Sequence, residues 1–460
     1  MLSNDFIAEL EKIVGKEDVL TSKEELTAYS YDGTTSWVHL PDAVVFPTST
    51  QEVSDIMKLA NKHLVYVTPR GAGTNVSGGS IPIKGGIVLC TTKMNKILNI
   101  DKENQIAEVE PGVVLMDLNI TLAKEGLRFP PDPQSFLGAT LGGNIAENAG
   151  GPACVKYGVV KQYILGLEVV LPTGEIVNFG GRTMKNVQTY DLASLIVGSE
   201  GTLGIVTKGI LRLIPAPAAA QTLCVVFDDM GKAATSVYKI LSQGVIPSKL
   251  EFVDNWVINR IEEMMPMGLP TDADALLLIE SDGIPEVVEK EIKQIIDVCN
   301  ETGAKEVRVA KDAEEALKYW KARSAGFAAV FGKAPTVLAE DVTVPRNKLP
   351  EFLKRIKEIS ERENVPITNI GHAGDGNLHP SALTDEKDKE HFERAKKAID
   401  EIIEMAVEFG GVLSGEHGIG LEKKKFLKKA VDPKVIELMK GIKRVFDPNN
   451  ILNPGKIWED

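Results

Sequence analysis

Cysteine is scarce and scattered in this 460-residue chain, which excludes two kinds of metal centre. The four cysteines are Cys90, Cys154, Cys224 and Cys299, and no two of them form a Cys-x-x-Cys pair. Neither an iron–sulfur cluster nor a zinc ribbon can be built from such spacing. We therefore expect four free thiols that behave as small apolar side chains in a reducing compartment.

Positive charge and long apolar runs are also lacking. The 52 lysines and arginines are outnumbered by 65 acidic residues, and the formal net charge of -13 disfavours a nucleic acid or an anionic membrane as partner. No apolar run reaches the length of about 18 residues that a membrane-spanning helix requires. The first residues show neither the basic nor the apolar region of a secretory signal, so we predict a cytoplasmic protein.

The length and the pattern of apolar residues predict two large domains. In the first half, short β-rich runs such as AVVFP (43–47) and GIVLCT (86–91) alternate with helical patterns. A stretch rich in proline and alanine at 214–222 indicates the boundary between the two domains. Beyond it, long charged helical patterns are separated by strand-like runs. This order predicts an α+β protein in which helices cover a mainly antiparallel sheet.

Three glycine-rich segments stand out in the first half. The first, PRGAGTNVSGGS (69–80), has Val76 where a dinucleotide fingerprint needs its third glycine, and no Gly-Lys-Ser/Thr closes it. A Rossmann NAD site and a nucleotide triphosphatase are therefore disfavoured, and a tight structural loop remains an alternative. The other two segments are 131–151 and 190–207. Three such stretches predict an extended cofactor lying on exposed backbone, as FAD would.

Two of the six histidines lie in GHAGDGNLHP (371–380). If Asp375 and Gly376 form a two-residue hairpin turn, His372 faces His379. Directly opposed residues have Cβ atoms about 4.5–5.5 Å apart, so the two imidazoles could bind one metal ion. The alternative is a pair of surface histidines that flank an ordinary hairpin.

A third histidine lies in SGEHGIG (414–420), where Glu416 precedes His417 in a glycine-rich loop. Two histidines and a carboxylate, with further positions open, suit Zn²⁺ or Fe²⁺ in a catalytic site. We expect the remaining histidines to be structural or solvated; these are His39, His63 and His391.

These segments, together with GLEVVLPTGEIV (166–177), resemble the vanillyl-alcohol-oxidase superfamily. Within it they resemble the FAD-linked 2-hydroxyacid dehydrogenases, which include the flavoprotein component of glycolate oxidase and the D-lactate dehydrogenases. The resemblance implies an α+β fold with a two-subdomain FAD-binding domain of the p-cresol methylhydroxylase (PCMH) type at 1–217. A substrate, or cap, domain would follow at 218–425, and the segment 426–460 would return to the FAD domain.

The resemblance also implies which residues hold FAD. The first glycine-rich segment would wrap the diphosphate, the second would line the flavin, the third would hold the adenosine half, and the C-terminal FDPNNILNPGKI would reach the cofactor. The residues so implied are Arg70, Gly71, Ala72, Gly73, Thr74, Asn75, Gly78 and Gly79; Pro131, Asp132, Ser135, Thr140, Gly143, Asn144 and Asn148; Glu200, Gly201, Ile205 and Val206; and Asn453. Many superfamily members tether FAD through a histidine. None lies in the three segments, so we expect non-covalent FAD.

In the family, the HxGDGNxH and GEHG motifs supply a metal site and a base. The resemblance implies that His372, His379 and Glu416 are the metal ligands, for Fe²⁺ or Zn²⁺, and that His417 is the catalytic base. It also implies that Arg323, in a WxxR context, binds the substrate carboxylate. On the amphipathic helical pattern that contains it, Arg323 could otherwise be a surface charge or half of an ion pair.

The reaction implied is metal-assisted oxidation of a small D-2-hydroxyacid with transfer of hydride to flavin N5. D-2-hydroxyglutarate-specific relatives carry a lysine before the aspartate that corresponds to Asp341, and here Ala339 and Glu340 precede it. This favours D-lactate first and glycolate second. An alternative from another class is a transferase like alkyl-glycerone-phosphate synthase, which the short HxGDGNxH segment disfavours. A flavin-binding protein without activity is a third.

The electron acceptor must be a separate molecule, because the chain lacks heme and iron–sulfur ligands of its own. The overall likeness is to lactate dehydrogenases of anaerobes that work with the α and β subunits of electron-transfer flavoprotein. In that group, electron bifurcation links lactate oxidation to NAD and ferredoxin. The alternatives are an iron–sulfur partner protein, as in glycolate oxidase complexes, and a quinone.

Overall fold

The computed structural model describes residues 2–34 and 36–459, which form two compact units. Unit 1 comprises the described residues up to Gly150, Val159–Ala216 and those from Glu416 onward. Unit 2 comprises Gly151–Gly158 and Pro217–Gly415. The sequence had predicted breaks after residues 217 and 425.

The second break in the structure precedes the predicted one because the loop after Glu416 is bonded within unit 1. The backbone N–H groups of Ile419 and Gly420 donate to the Glu200 carboxylate, and that of Leu421 donates to the Ser77 carbonyl. The short segment 151–158 belongs to unit 2 for a similar reason. Its Lys156 and Tyr157 both bond the buried Asp282 carboxylate, at 2.7 and 2.6 Å.

The strands are numbered here in chain order. Those of unit 1 are β1 (Val19–Leu20), β2 (Ala43–Val45), β3 (Val67–Arg70), β4 (Ile87–Cys90), β5 (Ile97–Asp101), β6 (Ile106–Val109), β7 (Leu127–Arg128), β8 (Ile164–Val170), β9 (Ile176–Gly180), β10 (Ile205–Arg212) and β11 (Ile214–Pro215). Those of unit 2 are β12 (Ala219–Phe227), β13 (Lys249–Asp254), β14 (Ala275–Gly283), β15 (Glu306–Val309), β16 (Thr336–Ala339), β17 (Val342–Thr343), β18 (Ile367–Gly371) and β19 (Asn377–Thr384).

The α-helices are numbered in the same way through both units. They are α1 (Asn4–Val14), α2 (Lys23–Thr27), α3 (Thr50–His63), α4 (Leu115–Ala123), α5 (Leu141–Glu147), α6 (Cys154–Tyr157), α7 (Leu192–Ile196), α8 (Met230–Ser242), α9 (Asn255–Met264), α10 (Pro285–Glu301), α11 (Ala313–Phe331), α12 (Leu349–Glu363), α13 (Lys389–Glu408), α14 (Leu427–Ala430) and α15 (Pro433–Phe446).

Unit 1 is built on two larger sheets, in line with the predicted pair of subdomains, and β7 and β11 form a separate two-stranded sheet. The first has the order β1-β2-β4-β3, in which β4 pairs in parallel with both β2 and β3. Helices α1 and α3 bury Phe6, Leu10 and Ile56 in its core. The second sheet is antiparallel, with the order β5-β6-β10-β8-β9. The first glycine-rich segment follows β3 of the first sheet, and the third runs into β10 of the second sheet.

Unit 2 is built on one long antiparallel sheet with the order β15-β12-β14-β13-β18-β19-β16. Helices α9 and α11 bury apolar side chains against one face, where Cys224 and Leu278 lie. The buried stripe of α10 packs on β12 and β14 from the opposite side. The predicted antiparallel sheet covered by helices is therefore confirmed.

The cysteines and helices bear on two further predictions. In the described residues the four cysteines form no disulfide; three are buried, whereas Cys154 is partly exposed. Burial raises the pKa of the Cys224 and Cys299 thiols to about 12, which makes them unreactive. Within the described residues, no helix combines the length and the apolar character needed to cross a membrane.

Candidate active site

The predicted FAD segments meet in unit 1, although they lie far apart in the sequence. A Cβ added to Gly71 would lie 2.2 Å from the Thr140 hydroxyl, and one added to Gly201 would lie 2.7 Å from Pro69. Only glycine permits these close approaches. The Asn453 amide closes the arrangement by donating to the carbonyls of Gly79 and Glu200, at 3.0 and 2.8 Å. First, second, third and C-terminal segments are thus packed together.

Two buried polar atoms in the second segment suit a bound cofactor. Within residues 2–34 and 36–459, the Thr140 hydroxyl and the Asn144 amide nitrogen have no hydrogen-bond partner, and their side chains are buried. Buried polar groups are nearly always paired in folded proteins. Thr140 directly precedes α5 and Asn144 lies on it. These atoms can bond the polar edge of a flavin, so the residues present fit FAD.

Several other predicted FAD residues use their side chains inside the protein. Arg70 donates to the Tyr31 carbonyl at 2.7 Å, Asn75 donates to Asp32 at 2.7 Å, and the Asn148 side-chain carbonyl accepts from the Lys161 backbone at 2.8 Å. For Arg70 and Asn75, the backbone groups would therefore be the ones that meet a diphosphate, whereas Asn148 was predicted to line the flavin. Ile205 and Val206 begin β10 and are buried. The individual contacts with FAD stay predictions.

Glu200 has a task that the sequence did not indicate. Its carboxylate oxygens accept from the backbone N–H groups of Ile419 and Gly420, at 2.8 and 2.7 Å. Burial raises the pKa of Glu200, and burial followed by the nearby Glu200 charge raises the pKa of Glu147 well above its ordinary value. Gly418 lies against this pair, with a φ of +89° and no space for a side chain. The buried acids thus hold the loop directly after His417.

The two histidines of GHAGDGNLHP meet, but not through the predicted two-residue turn. In the β18–β19 pairing, His379 lies opposite Ile370, not opposite His372. Residues Ala373–Asp375 form a 3-10 turn, and the Asn377 backbone N–H donates to the His372 carbonyl at 3.2 Å. His372 and Asn377 are thus the closing pair, and the loop between them has four residues, 373–376. The predicted register is wrong because it assumed a loop of two residues.

The imidazoles nevertheless come together as diagonal neighbours. Their ring centroids are 5.3 Å apart and their planes are nearly perpendicular, at 86°. Side chains two residues from a directly opposed position remain within reach of each other across an antiparallel pair. His372 is only 4% exposed, so the alternative of two surface histidines is wrong for it.

Glu416 completes a group with donor types suited to a metal ion. One ligand atom from each of His372, His379 and Glu416 lies within 4.8 Å of the others. Glu416 follows Gly415, the last residue of unit 2. Two imidazoles and one carboxylate are the donors of catalytic Zn²⁺ and Fe²⁺ sites. The residues present therefore fit the predicted divalent metal.

Asp341 fixes the position of the backbone directly before Glu416. This fully buried carboxylate accepts from the Asn377 amide at 2.5 Å, from the Ser414 hydroxyl at 2.5 Å and from the Gly415 backbone N–H at 2.9 Å. It therefore joins the start of β19 to the residues directly before Glu416. The sequence marked Asp341 only as a reference point for substrate size.

A second buried carboxylate, Glu251 on β13, contacts two predicted site residues. Both of its oxygens lie 2.9 Å from His372 Nδ1, and one lies 2.7 Å from Arg323 Nη2. Arg323, on α11, is 4% exposed, so the surface-charge alternative is wrong and the ion-pair alternative is correct. Sequence reasoning missed Glu251. The available signal was an acidic residue flanked by Leu250 and Phe252 in a strand-like run, where a buried charge is tolerated only when it is paired.

His417 remains partly accessible, which its predicted role as a base requires. A quarter of its side chain is exposed, and its Nε2 lies 3.8 Å from a Glu416 carboxylate oxygen. Its position beside Glu416 follows from the sequence. Its orientation depends on the loop that Glu200 holds.

The comparisons with known proteins agree with this architecture. A family model described as "FAD binding domain" matches residues 41–180, and one described as "FAD linked oxidases, C-terminal domain" matches residues 216–457. Glycolate oxidase subunit GlcD of Bacillus subtilis is 43% identical over 100% of this chain and 97% of its own. D-lactate dehydrogenase of Anaerostipes hadrus is 40% identical over 91% of this chain and 89% of its own. That of Archaeoglobus fulgidus is 37% identical, with 98% and 99% covered.

Solved structures share the fold. p-Cresol methylhydroxylase superposes with a TM-score of 0.83 and 20% identity, covering 99% of this chain and 96% of that one. Alkyldihydroxyacetonephosphate synthase gives a TM-score of 0.79 and 22% identity, covering 99% and 86%. The predicted PCMH-type fold is thereby confirmed. The chain belongs to the FAD-linked oxidases, in their branch of FAD-linked 2-hydroxyacid dehydrogenases, and its cofactor is FAD.

Proposed function

We propose that this enzyme oxidises a small D-2-hydroxyacid, D-lactate to pyruvate, and passes the electrons to electron-transfer flavoprotein. The observation that carries the proposal is the grouping of His372, His379 and Glu416 within 4.8 Å in a chain of this family. The names of the relatives, glycolate oxidase and D-lactate dehydrogenase, support a hydroxyacid as the substrate.

In this proposal the three ligands hold one divalent ion, Fe²⁺ or Zn²⁺, and FAD is bound non-covalently. When bound, the metal would supply Lewis acidity toward the α-hydroxyl, and FAD would supply an acceptor for the hydride from Cα. His417 removes the hydroxyl proton onto an imidazole nitrogen, so the substrate loses one proton and one hydride and becomes the 2-oxoacid. Arg323 provides the positive charge for the substrate carboxylate. Its Nε is buried and has no hydrogen-bond partner in the part of the chain that the structure describes.

The preference for a monocarboxylate follows from the residues before Asp341. Ala339 ends β16 and Glu340 is acidic, so neither offers a cation to a second substrate carboxylate. A negative side chain there would repel D-2-hydroxyglutarate. We therefore place D-lactate first and glycolate second.

Electron-transfer flavoprotein, with its α and β subunits, is the proposed acceptor, and it would place the reaction in the cytoplasm. Its use would couple lactate oxidation to NAD and ferredoxin by electron bifurcation. An iron–sulfur partner or a quinone is the second candidate, favoured by the 43% identity to a component of glycolate oxidase. Mixing the reduced enzyme with each acceptor under anaerobic conditions and following flavin reoxidation separates them.

The test of the reaction is anaerobic reduction of the bound flavin, followed by its absorbance. D-lactate should bleach the flavin, whereas L-lactate and D-2-hydroxyglutarate should do so far more slowly. The fold is shared with alkyldihydroxyacetonephosphate synthase. A transferase is the alternative from another class, so this test also separates oxidation from transfer. Failure of every 2-hydroxyacid to reduce enzyme that contains FAD and metal would dismiss the proposal.

A further inference from the structure

Glu251 is a fully buried residue that contacts both a predicted metal ligand and the predicted carboxylate-binding arginine. It lies on β13, is 0% exposed, and meets His372 from the β18–β19 loop and Arg323 from α11. We propose that Glu251 is a positioning residue that sets metal affinity and substrate orientation together. This inference rests on the proposed function for both the metal and the substrate.

The contact with His372 determines which imidazole nitrogen is left for a metal. Because Nδ1 lies 2.9 Å from both Glu251 oxygens, Nδ1 carries the hydrogen and donates it to the carboxylate. Nε2 is then the unprotonated nitrogen, whose lone pair can bind a metal. A carboxylate behind a ligating histidine fixes the tautomer and the ring direction and strengthens the histidine as a ligand.

The contact with Arg323 determines which part of the guanidinium is left for a substrate. Glu251 takes Nη2 at 2.7 Å, while the buried Nε stays unpartnered among the described residues. A buried carboxylate without a compensating charge would be strongly unfavourable, so the arginine and the glutamate require each other. The substrate carboxylate would therefore meet a guanidinium whose plane is already fixed.

The shared carboxylate couples metal binding to substrate binding, because one residue positions both His372 and Arg323. His372 and Arg323 come from different elements, and the described contacts between them run through the two oxygens of Glu251. A glutamine at this position has one acceptor oxygen and a donor NH₂ group. Its oxygen can accept from His372 or from Arg323, and its NH₂ group would then face the N–H donor of the other residue.

The test compares wild type with Glu251→Gln, Glu251→Asp and the double variant Glu251→Gln/Arg323→Met. The first readout is Zn²⁺ affinity, measured by competition with a chelator in the FAD-loaded protein without substrate. Glu251→Gln should weaken Zn²⁺ binding by about 10–100-fold. The double variant restores the buried charge balance but not the contact with His372, so its folding should recover while its Zn²⁺ affinity stays low.

The second readout is the steady-state rate with D-lactate at saturating metal. Glu251→Gln should raise KM more than it lowers kcat, and Glu251→Asp, which keeps the charge, should lie between wild type and Glu251→Gln. The matched control is Asp282→Asn, which removes a buried carboxylate on β14 that bonds Lys156 and Tyr157 instead. It should leave Zn²⁺ affinity unchanged.

Folded Glu251→Gln protein with Zn²⁺ affinity within about threefold of wild type would overturn the inference. So would recovery of Zn²⁺ affinity in the double variant, since Glu251 would then serve only to balance Arg323. Weakened Zn²⁺ binding in an enzyme that no 2-hydroxyacid reduces would uphold the role of Glu251 toward the metal and reject the proposed function. Wild-type protein that binds no divalent ion would reject both.

Discussion

Replacing Asp341 with asparagine should loosen the residues that lead into Glu416. Three donors converge on this carboxylate: Asn377 Nδ2 at 2.5 Å from one oxygen, and Ser414 Oγ and Gly415 N at 2.5 and 2.9 Å from the other. If the one remaining oxygen serves Ser414 and Gly415, the new NH₂ group meets the Asn377 amide, which is itself a donor.

The Asn377 side chain cannot relieve this conflict by rotating its amide by 180°. Its NH₂ group also donates to the Thr343 hydroxyl at 3.0 Å and to the Val342 carbonyl at 3.3 Å, and both hydrogen bonds would be lost. A hydrogen bond to a charged group contributes about 1.5–3 kcal/mol, and an unsatisfied buried donor costs about 1–3 kcal/mol. The two effects overlap, so we expect the free energy of unfolding to fall by about 3 kcal/mol. Zn²⁺ affinity should fall at least about 10-fold, because Glu416 loses its support.

Urea unfolding followed by tryptophan fluorescence measures the first effect, and chelator competition measures the second. The graded control is Ser414→Ala, which removes one of the three donors and should cost about 1 kcal/mol. Asp341→Asn with a free energy of unfolding within about 0.5 kcal/mol of wild type and unaltered Zn²⁺ affinity would refute the reasoning.

Three further predictions concern other residues. His417→Ala should keep FAD and metal yet lose about 10²–10⁴-fold in the anaerobic rate of flavin reduction by D-lactate, and an undiminished rate would reject its role as base. Gly71→Ala should lose FAD, because its Cβ would lie 2.2 Å from the Thr140 hydroxyl. Gly138→Ala, in the next glycine-rich segment, has open space around the added Cβ and should retain FAD. The flavin absorbance of the purified proteins measures the difference. Burial raises the pKa of the Asp254 carboxyl to about 6, above its unfolded value of about 3.9, so its contribution to stability is complete below about pH 4 and is lost as the pH rises through 6. Relative to Asp254→Asn, wild type should lose about 3 kcal/mol of unfolding free energy between about pH 4 and 7, and parallel pH profiles in urea titrations would contradict this.

Local chemistry made much of the molecule predictable. Helices such as α10, α12 and α13 follow from their amphipathic patterns, since a period of 3.6 residues places apolar side chains on one stripe. Glycines such as Gly71 and Gly201 mark positions where another segment approaches too closely for a side chain. The cofactor type and the ligand types could therefore be inferred before their positions were known.

The turn between the histidines could not be predicted from its Asp-Gly pair. Gly376 does have a positive φ, of +80°, but it ends a 3-10 turn and does not occupy the centre of a two-residue hairpin. Its backbone approaches the Val344 carbonyl, to which an added Cβ would be 2.1 Å away. Packing against a distant segment selected the loop length, and local turn preference did not.

The sequence by itself determined which residues are proposed as metal ligands and as base, because the motifs that contain them are short; the ligands are His372, His379 and Glu416, and the base is His417. It also determined the backbone-lined cofactor segments, because missing side chains are visible as glycine. Only the tertiary structure decided how these groups are supported. Arg323 is buried and not a surface charge because Glu251, on another element, compensates it. A buried charge is stable only when its partner is in place, and that partner is supplied by the fold, not by neighbours in the chain.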